Sequence, residues 1–243
     1  MSKYDKWLSY KYEVVLPGSK KEISFRPIKT KNMKRFLVVD DNIGSIDNAI
    51  DDVINDCILT EDVKVEDMYL HDRFFLFVEL RKKSKGNIFK FNHTCEKCNS
   101  QSLQVLDLNN LKIKEPSIYE EEVKLNDNIT MVLTLLTRND QKQATQLAQG
   151  LNARNESFSL TLLDSAMITH AMGIKKIITP EGIDEPTVQE KIEFINEIKP
   201  EEYEKIRDWY DDKDFGVEMK HIIKCPHCLF EKEIEVPMDN FFF

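Results

Sequence analysis

Two Cys-x-x-Cys pairs, Cys95/Cys98 and Cys225/Cys228, constrain this chain more than any other feature, because four thiols in that spacing are the ligand set of a tetrahedral metal site. Two cysteines three apart in a tight turn present both sulfurs to one ion, and two such turns complete its coordination. The pairs are separated by 126 residues, far more than the short spacing of a compact zinc ribbon. Sequence distance does not prevent contact in the fold, so the reading is one structural zinc shared by all four cysteines. Pro226 suits it, since its fixed φ favours a turn directly after Cys225.

Three rival readings stay open at this stage. Cys225-Pro226-His227-Cys228 is the tetrapeptide of a strongly oxidising thiol oxidase of the thioredoxin fold, but only 15 residues follow Cys228, too few for the rest of that fold. His93, His221 or His227 could replace a cysteine or build a second site. The four thiols could also be free core residues. Four thiolates leave a zinc no open position for water, so the site is read as structural, not hydrolytic.

Each pair is preceded by a similar approach. Gly86 and Lys90 lead to Cys95 as Gly216 and Lys220 lead to Cys225, with eight residues between glycine and cysteine in both. The wider pattern repeats as well: hairpin, helices, glycine, strand, cysteine pair, strand. The first copy starts with a hairpin over Tyr12–Leu16 and Ile23–Pro27 turning at Pro17, Gly18 and Ser19. It continues with helices from Thr30 through Val39, from Ser45 through Cys57 and from Glu66 to Lys83, then strands at Asn87–His93 and Leu103–Leu108. The second has a hairpin over Glu121–Leu125 and Ile129–Thr137, helices at 139–151, 156–172, 187–198 and 201–212, and strands at Val217–Lys224 and Glu231–Val236. A diverged duplication with halves 1–115 and 116–243 follows, joined by the zinc into one compact unit. Helices segregated from antiparallel hairpins make the fold class α+β.

Apolar residues form 41% of the 243 and charged residues 32%, with seven glycines and eight prolines, a profile that folds throughout. Nothing near the amino terminus has the apolar length of a signal peptide or membrane span, and reduced cytosolic thiols favour metal over disulfide. Net charge is −9, which argues against general nucleic-acid affinity. It is unevenly spread: residues 1–36 hold ten Lys or Arg against three acids, whereas 37–80 hold twelve acids against Lys64 and Arg73. Such blocks are solvated faces or docking surfaces. No phosphate-cradling glycine loop or His-Glu-x-x-His helix is present. His170 falls among Met167, Ile168 and Met172 as a core histidine, and Cys57 lies on a buried stripe. The carboxyl-terminal Phe241, Phe242 and Phe243 are too apolar to leave in water, so they pack on the chain's own core or dock into a partner.

Two stretches carry a family likeness. Phe25-Arg26-Pro27-Ile28-Lys29-Thr30-Lys31 after a hairpin, and Phe74-Phe75-Leu76 leading to Leu80-Arg81-Lys82-Lys83-Ser84-Lys85-Gly86 and a strand into a cysteine turn, resemble the T-even-type bacteriophage baseplate protein family. The likeness covers roughly residues 10 to 110. It implies a non-enzymatic assembly factor or minor structural component of the tail baseplate hub, with other baseplate and hub proteins as partners and no catalytic residues. It also implies work in the host cytoplasm during assembly, the virion baseplate being the other location. The competing class is a zinc-ribbon regulator touching nucleic acid or polymerase, which the acidic charge disfavours.

Overall fold

The computed structural model describes residues 10–36, 45–152, 158–213, 215–238 and 241–242. The chain opens with the hairpin β1 (Tyr12–Val15) and β2 (Glu22–Phe25), paired in the register Tyr12 to Phe25. Its loop is anchored from inside: the two Asp72 carboxylate oxygens accept from the backbone N–H groups of Gly18 and Ser19 at 2.6 and 2.7 Å. A Cβ on Gly18 would lie 2.6 Å from the Phe215 ring, so only glycine fits beneath that contact.

Three helices follow in the first half, α1 (Thr30–Phe36), α2 (Ser45–Cys57) and α3 (Leu70–Lys85). The α1 expectation reached Val39, and residues 37–39 lie outside the described residues. α2 buries Val53, Ile54 and Cys57, the stripe read from its 3.6-residue period. α3 begins four residues later than its hydrophobic pattern suggests. Met68 and Tyr69 are taken by tertiary pairing: Arg138 N–H donates to Met68, Leu70 N–H donates to Leu136, and Tyr69 bridges Thr137. Val65–Asp67 is therefore only a short 3₁₀ turn. At the other end Gly86, at φ 89°, lets its N–H reach the Lys82 carbonyl and closes the helix.

β3 (Ile88–Thr94) and β4 (Gln101–Asp107) form the first cysteine-bearing hairpin, and β5 (Ile113–Lys114) follows. The second half has its hairpin, β6 (Glu120–Lys124) and β7 (Thr130–Thr134), turned by Asn126, whose side chain accepts from the N–H groups of Asn128 and Ile129. α4 (Arg138–Asn152) and α5 (Phe158–Met172) come next; the expected start of α5 at 156 lies outside the described residues. Then β8 (Ile174–Thr179) and β9 (Gly182–Asp184) extend the hairpin into an antiparallel sheet of order β6-β7-β8-β9. Among the described residues this pair has no counterpart in the first half, and it was not expected from the sequence, although Pro180-Glu181-Gly182 between apolar runs is a turn signal. α6 (Val188–Glu197) starts with a Thr187/Glu190 capping box and α7 (Pro200–Asp212) with proline in its first turn.

The chain then returns to the first half. The expected strand Val217–Lys224 is two pieces: β10 (Gly216–Val217) pairs with β5, and β11 (Lys220–Lys224) pairs with β12 (Glu231–Glu235) as the second cysteine hairpin. One core gathers Phe25, Ile54, Leu76, Leu80, Phe89 and Phe91 with Ile223, Val236, Phe241 and Phe242 from the end of the chain, so it takes in residues from both sides of position 115. A second core is built from Leu125, Met131, Leu133, Ile206, Trp209 and Phe215.

A buried charge cluster joins the halves. Asp51 on α2 accepts from Arg73 Nε on α3 at 2.6 Å and from Arg138 Nε, the first residue of α4, at 2.7 Å. The three side chains are 4%, 9% and 2% exposed. Asp47 pairs with Arg73, while Asn48 and Gln141 accept from Arg138, so the guanidinium groups have partners on several sides.

Candidate metal centre

β3 and β4 are in register to their ends, Thr94 opposite Gln101, so the turn is Cys95–Ser100. Within it Cys95 N–H donates to Ser100 at 2.9 Å and Asn99 N–H donates to Cys95 at 2.8 Å, with Asn99 at φ 55°. The second turn repeats this geometry. Cys225 N–H donates to Phe230 at 2.8 Å, Leu229 N–H donates to Cys225 at 3.0 Å, and Leu229 sits at φ 56°. Asparagine tolerates that left-handed conformation, whereas leucine costs roughly 1–2 kcal/mol there. The exposed pair Lys232–Glu96, at 2.6 Å, spans the two turns.

All four sulfurs lie within 4.8 Å of one another. Cys95 Sγ is 3.6 Å from Cys228 Sγ, and Cys98 Sγ is 3.6 Å from Cys225 Sγ. Zinc–sulfur bonds of about 2.3 Å at tetrahedral angles place ligand sulfurs about 3.8 Å apart. The cluster thus has the size of a four-thiolate shell, and the distances are too long for disulfides. The four cysteines could bind a metal ion. Cys95 and Cys225 are buried at the bases of their turns, and Cys98 is exposed.

The surroundings favour thiolate at part of the cluster and oppose it at the rest. The Ser100 hydroxyl and the N–H groups of Cys228 and His227 bring the Cys225 thiol down to about 5. Ser100 also lowers Cys98. At Cys228 the Phe230 N–H acts in the lowering direction, but burial and the sulfurs of Cys98, Cys225 and Cys95 push it up to about 12. Four sulfurs this close cannot all carry charge without a cation among them. A bound divalent ion would supply that charge and keep its thiol ligands deprotonated.

Ser100 is a residue that the Cys-x-x-Cys pattern did not single out. Its Oγ lies 2.9 Å from Cys98 Sγ and 3.5 Å from Cys225 Sγ, so one hydroxyl orients a ligand from each turn. Ser100→Ala should weaken metal binding about tenfold, the lower end of what such supporting hydrogen bonds contribute, with little change in the metal-bound fold. Competition against a chromophoric chelator measures it; an unchanged affinity would show the hydroxyl to be incidental.

No histidine belongs to the cluster among the described residues. His227 is exposed beside it, and His221 meets the Phe91 ring edge-on at 6.4 Å. Cys225–Cys228 lies in a strand-to-strand turn and not at a helix start, which removes the thiol-oxidase reading. His170 is where a core histidine was expected: Nδ1 is 3.0 Å from the Tyr203 hydroxyl, the ring stacks on Tyr210, and burial lowers its pKa.

Phe241 and Phe242 are each 3% exposed. They pack with Phe77, Phe89 and Phe36, and Arg81 clamps them by donating to the Phe241 carbonyl while its guanidinium lies 5.7 Å over the Phe241 ring. At these two positions the self-packing alternative takes the place of the expected partner-docking patch, because their apolar surface is already covered. Phe243 lies outside the described residues. Among the described residues no helix is long and apolar enough to cross a membrane.

A family profile described as T4 bacteriophage base plate protein matches residues 9–243, both cysteine turns included. No curated protein and no solved structure matches the chain.

Proposed function

The chain belongs to the T4 bacteriophage base plate protein family, and from that membership we propose that it is a non-enzymatic protein of the tail baseplate hub. It acts as an assembly factor or minor structural component through contacts with other phage structural proteins, in the host cytoplasm and in the virion baseplate. The single observation that carries this reading is a family match running from the first hairpin to the last residue, so that both halves and the cysteine cluster belong to one baseplate-type unit. In this role the metal is a structural zinc held by Cys95, Cys98, Cys225 and Cys228, tying the end of the chain to the first half. The rival nucleic-acid role is disfavoured by the net charge of −9.

Phage lacking this protein should yield few or no complete baseplates by electron microscopy, with supply of the intact chain restoring them. Tails of normal number and form without it would sink the proposal. Mass spectrometry of purified virions separates the component, which stays, from the assembly factor, which leaves.

A further inference from the structure

The four thiols suit a second chemical state besides metal binding. Both sulfur–sulfur contacts of 3.6 Å, Cys95 to Cys228 and Cys98 to Cys225, join one turn to the other. Closing either to a disulfide of about 2.05 Å takes a sulfur movement of about 1.5 Å. The two pairs share no sulfur, so both bonds can form in one molecule.

More than an ion holds the turns face to face. Lys232 pairs with Glu96 across them at 2.6 Å. Ile223 before the second turn and Val236 after it lie in the first core together with Phe89 and Phe91 of β3. The Ser100 hydroxyl is 2.9 Å from the Cys98 sulfur and 3.5 Å from that of Cys225, beside both members of one pair. Access is unequal, for Cys98 is exposed whereas Cys95 and Cys225 are buried. An oxidant from solvent therefore meets Cys98 first, and Cys225 is at hand to complete the reaction.

We infer that the cluster is an oxidative modification site, at which a disulfide oxidant replaces the metal clasp by two cross-links, Cys98–Cys225 and Cys95–Cys228. The Cys98 thiolate attacks one sulfur of the oxidant R–S–S–R, forming a mixed disulfide and releasing RS⁻. Cys225 then attacks the Cys98 sulfur and expels the second RS⁻. Two remaining thiolates are too few to keep the ion, and Cys95 and Cys228 react in the same way with a second oxidant molecule. Four protein thiolates are oxidised, two oxidant disulfides are reduced to four RS⁻, and the divalent ion leaves with its charge unchanged. The end of the chain thus stays tied to the first half in either state. Disulfides within single turns would instead release it. Thiolate clasps suit a reducing cytosol and disulfides persist at virion surfaces, so the setting of this chemistry rests on the baseplate reading above.

Oxidised glutathione added to the purified, zinc-loaded full chain tests this. One zinc per chain should pass to a chromophoric chelator as the four thiols disappear. Trypsin cuts after Lys90, Lys97, Lys112, Lys224 and Lys232, which parts Cys95 from Cys98 but leaves Cys225 with Cys228. Without reductant the peptides 91–97, 98–112 and 225–232 should therefore remain joined as one species, and fragmentation between Cys225 and Cys228 assigns the partners. The oxidised, zinc-free chain should melt closer to the zinc-loaded form than to the stripped one, and reduction in the presence of chelator should abolish that difference. Disulfides confined to single turns, the opposite pairing Cys95–Cys225 and Cys98–Cys228, or cross-links between chains would overturn the inference. So would zinc and thiols retained against excess oxidant, or an oxidised chain that melts with the stripped form. Every readout is made on the purified chain, so failure here is distinct from failure of the baseplate role, which phage lacking the protein tests.

Discussion

Stripping the metal with a strong chelator should unfold or loosen the chain, and as purified without added metal it should carry about one zinc per molecule. Structural zinc in zinc-finger peptides contributes about 10–16 kcal/mol on binding, comparable with the whole 5–15 kcal/mol that holds a typical domain together. The consequence is not confined to the two turns. Cys225 and Cys228 sit on the arm that also supplies Ile223, Val236, Phe241 and Phe242 to the first core, so removing the ion should loosen the attachment of all of them. Closing a loop of 126 residues costs little more than closing a short one, since the entropy grows with the logarithm of length. Metal binding exceeds it.

One shared ion also predicts how mutations combine. Cys95→Ser and Cys225→Ser should each empty the site and lower stability by similar amounts, and the double variant should cost little more than either alone. Zinc content and chelator-dependent melting read this directly. Additive losses, or half the metal retained by each single variant, would point to separate sites. Metal-free protein that melts like the loaded form would refute the structural role.

The second large effect is expected at Asp51. Among the described residues, removing this carboxylate leaves Arg73 without its strongest partner and Arg138, 2% exposed, buried with the neutral acceptors Asn48 and Gln141. Breaking a buried ion cluster by deleting one member costs about 3–5 kcal/mol, because the abandoned charge remains desolvated. Asp51→Ala should therefore lose a large share of the stability, and Asp51→Asn, which keeps the shape but not the charge, nearly as much. Replacing all three residues by apolar ones of similar volume should recover most of the loss, since the desolvation penalty then disappears with the charges. Denaturant midpoints of the single and triple variants decide the matter. A single variant within about 0.5 kcal/mol of wild type, the scale of an ordinary surface change, would show the cluster to be dispensable.

Much of the local structure is legible in the sequence. The α2 stripe ending at Cys57, the Gly86 stop, the Asn126 turn and the Thr187 cap are decided by neighbours within a few residues, through backbone preference and short-range hydrogen bonds. The candidate metal ligands are legible for the same reason, since each turn is a local motif carrying its own two sulfurs. β8 and β9 had one signal, the Pro180–Gly182 turn, but Ile174, Ile177 and Ile178 are spaced three and four apart, a helical period beside a helix, so the strand was hidden.

What the tertiary structure alone decided concerns residues whose partners are far away in the chain. Met68 and Tyr69 leave the helix that their pattern favours because residues 136–138 offer backbone partners. Asp51, Arg73 and Arg138 look like surface charges until three helices enclose them. Ser100 is an ordinary turn residue until the second turn brings Cys225 beside its hydroxyl. The sequence by itself determined which groups could bind a metal and which segments could be helix or strand, because those are short-range properties. That the end of the chain returns to complete the first core, with Arg81 closing over Phe241, depends on burial, and burial exists only once distant segments have met.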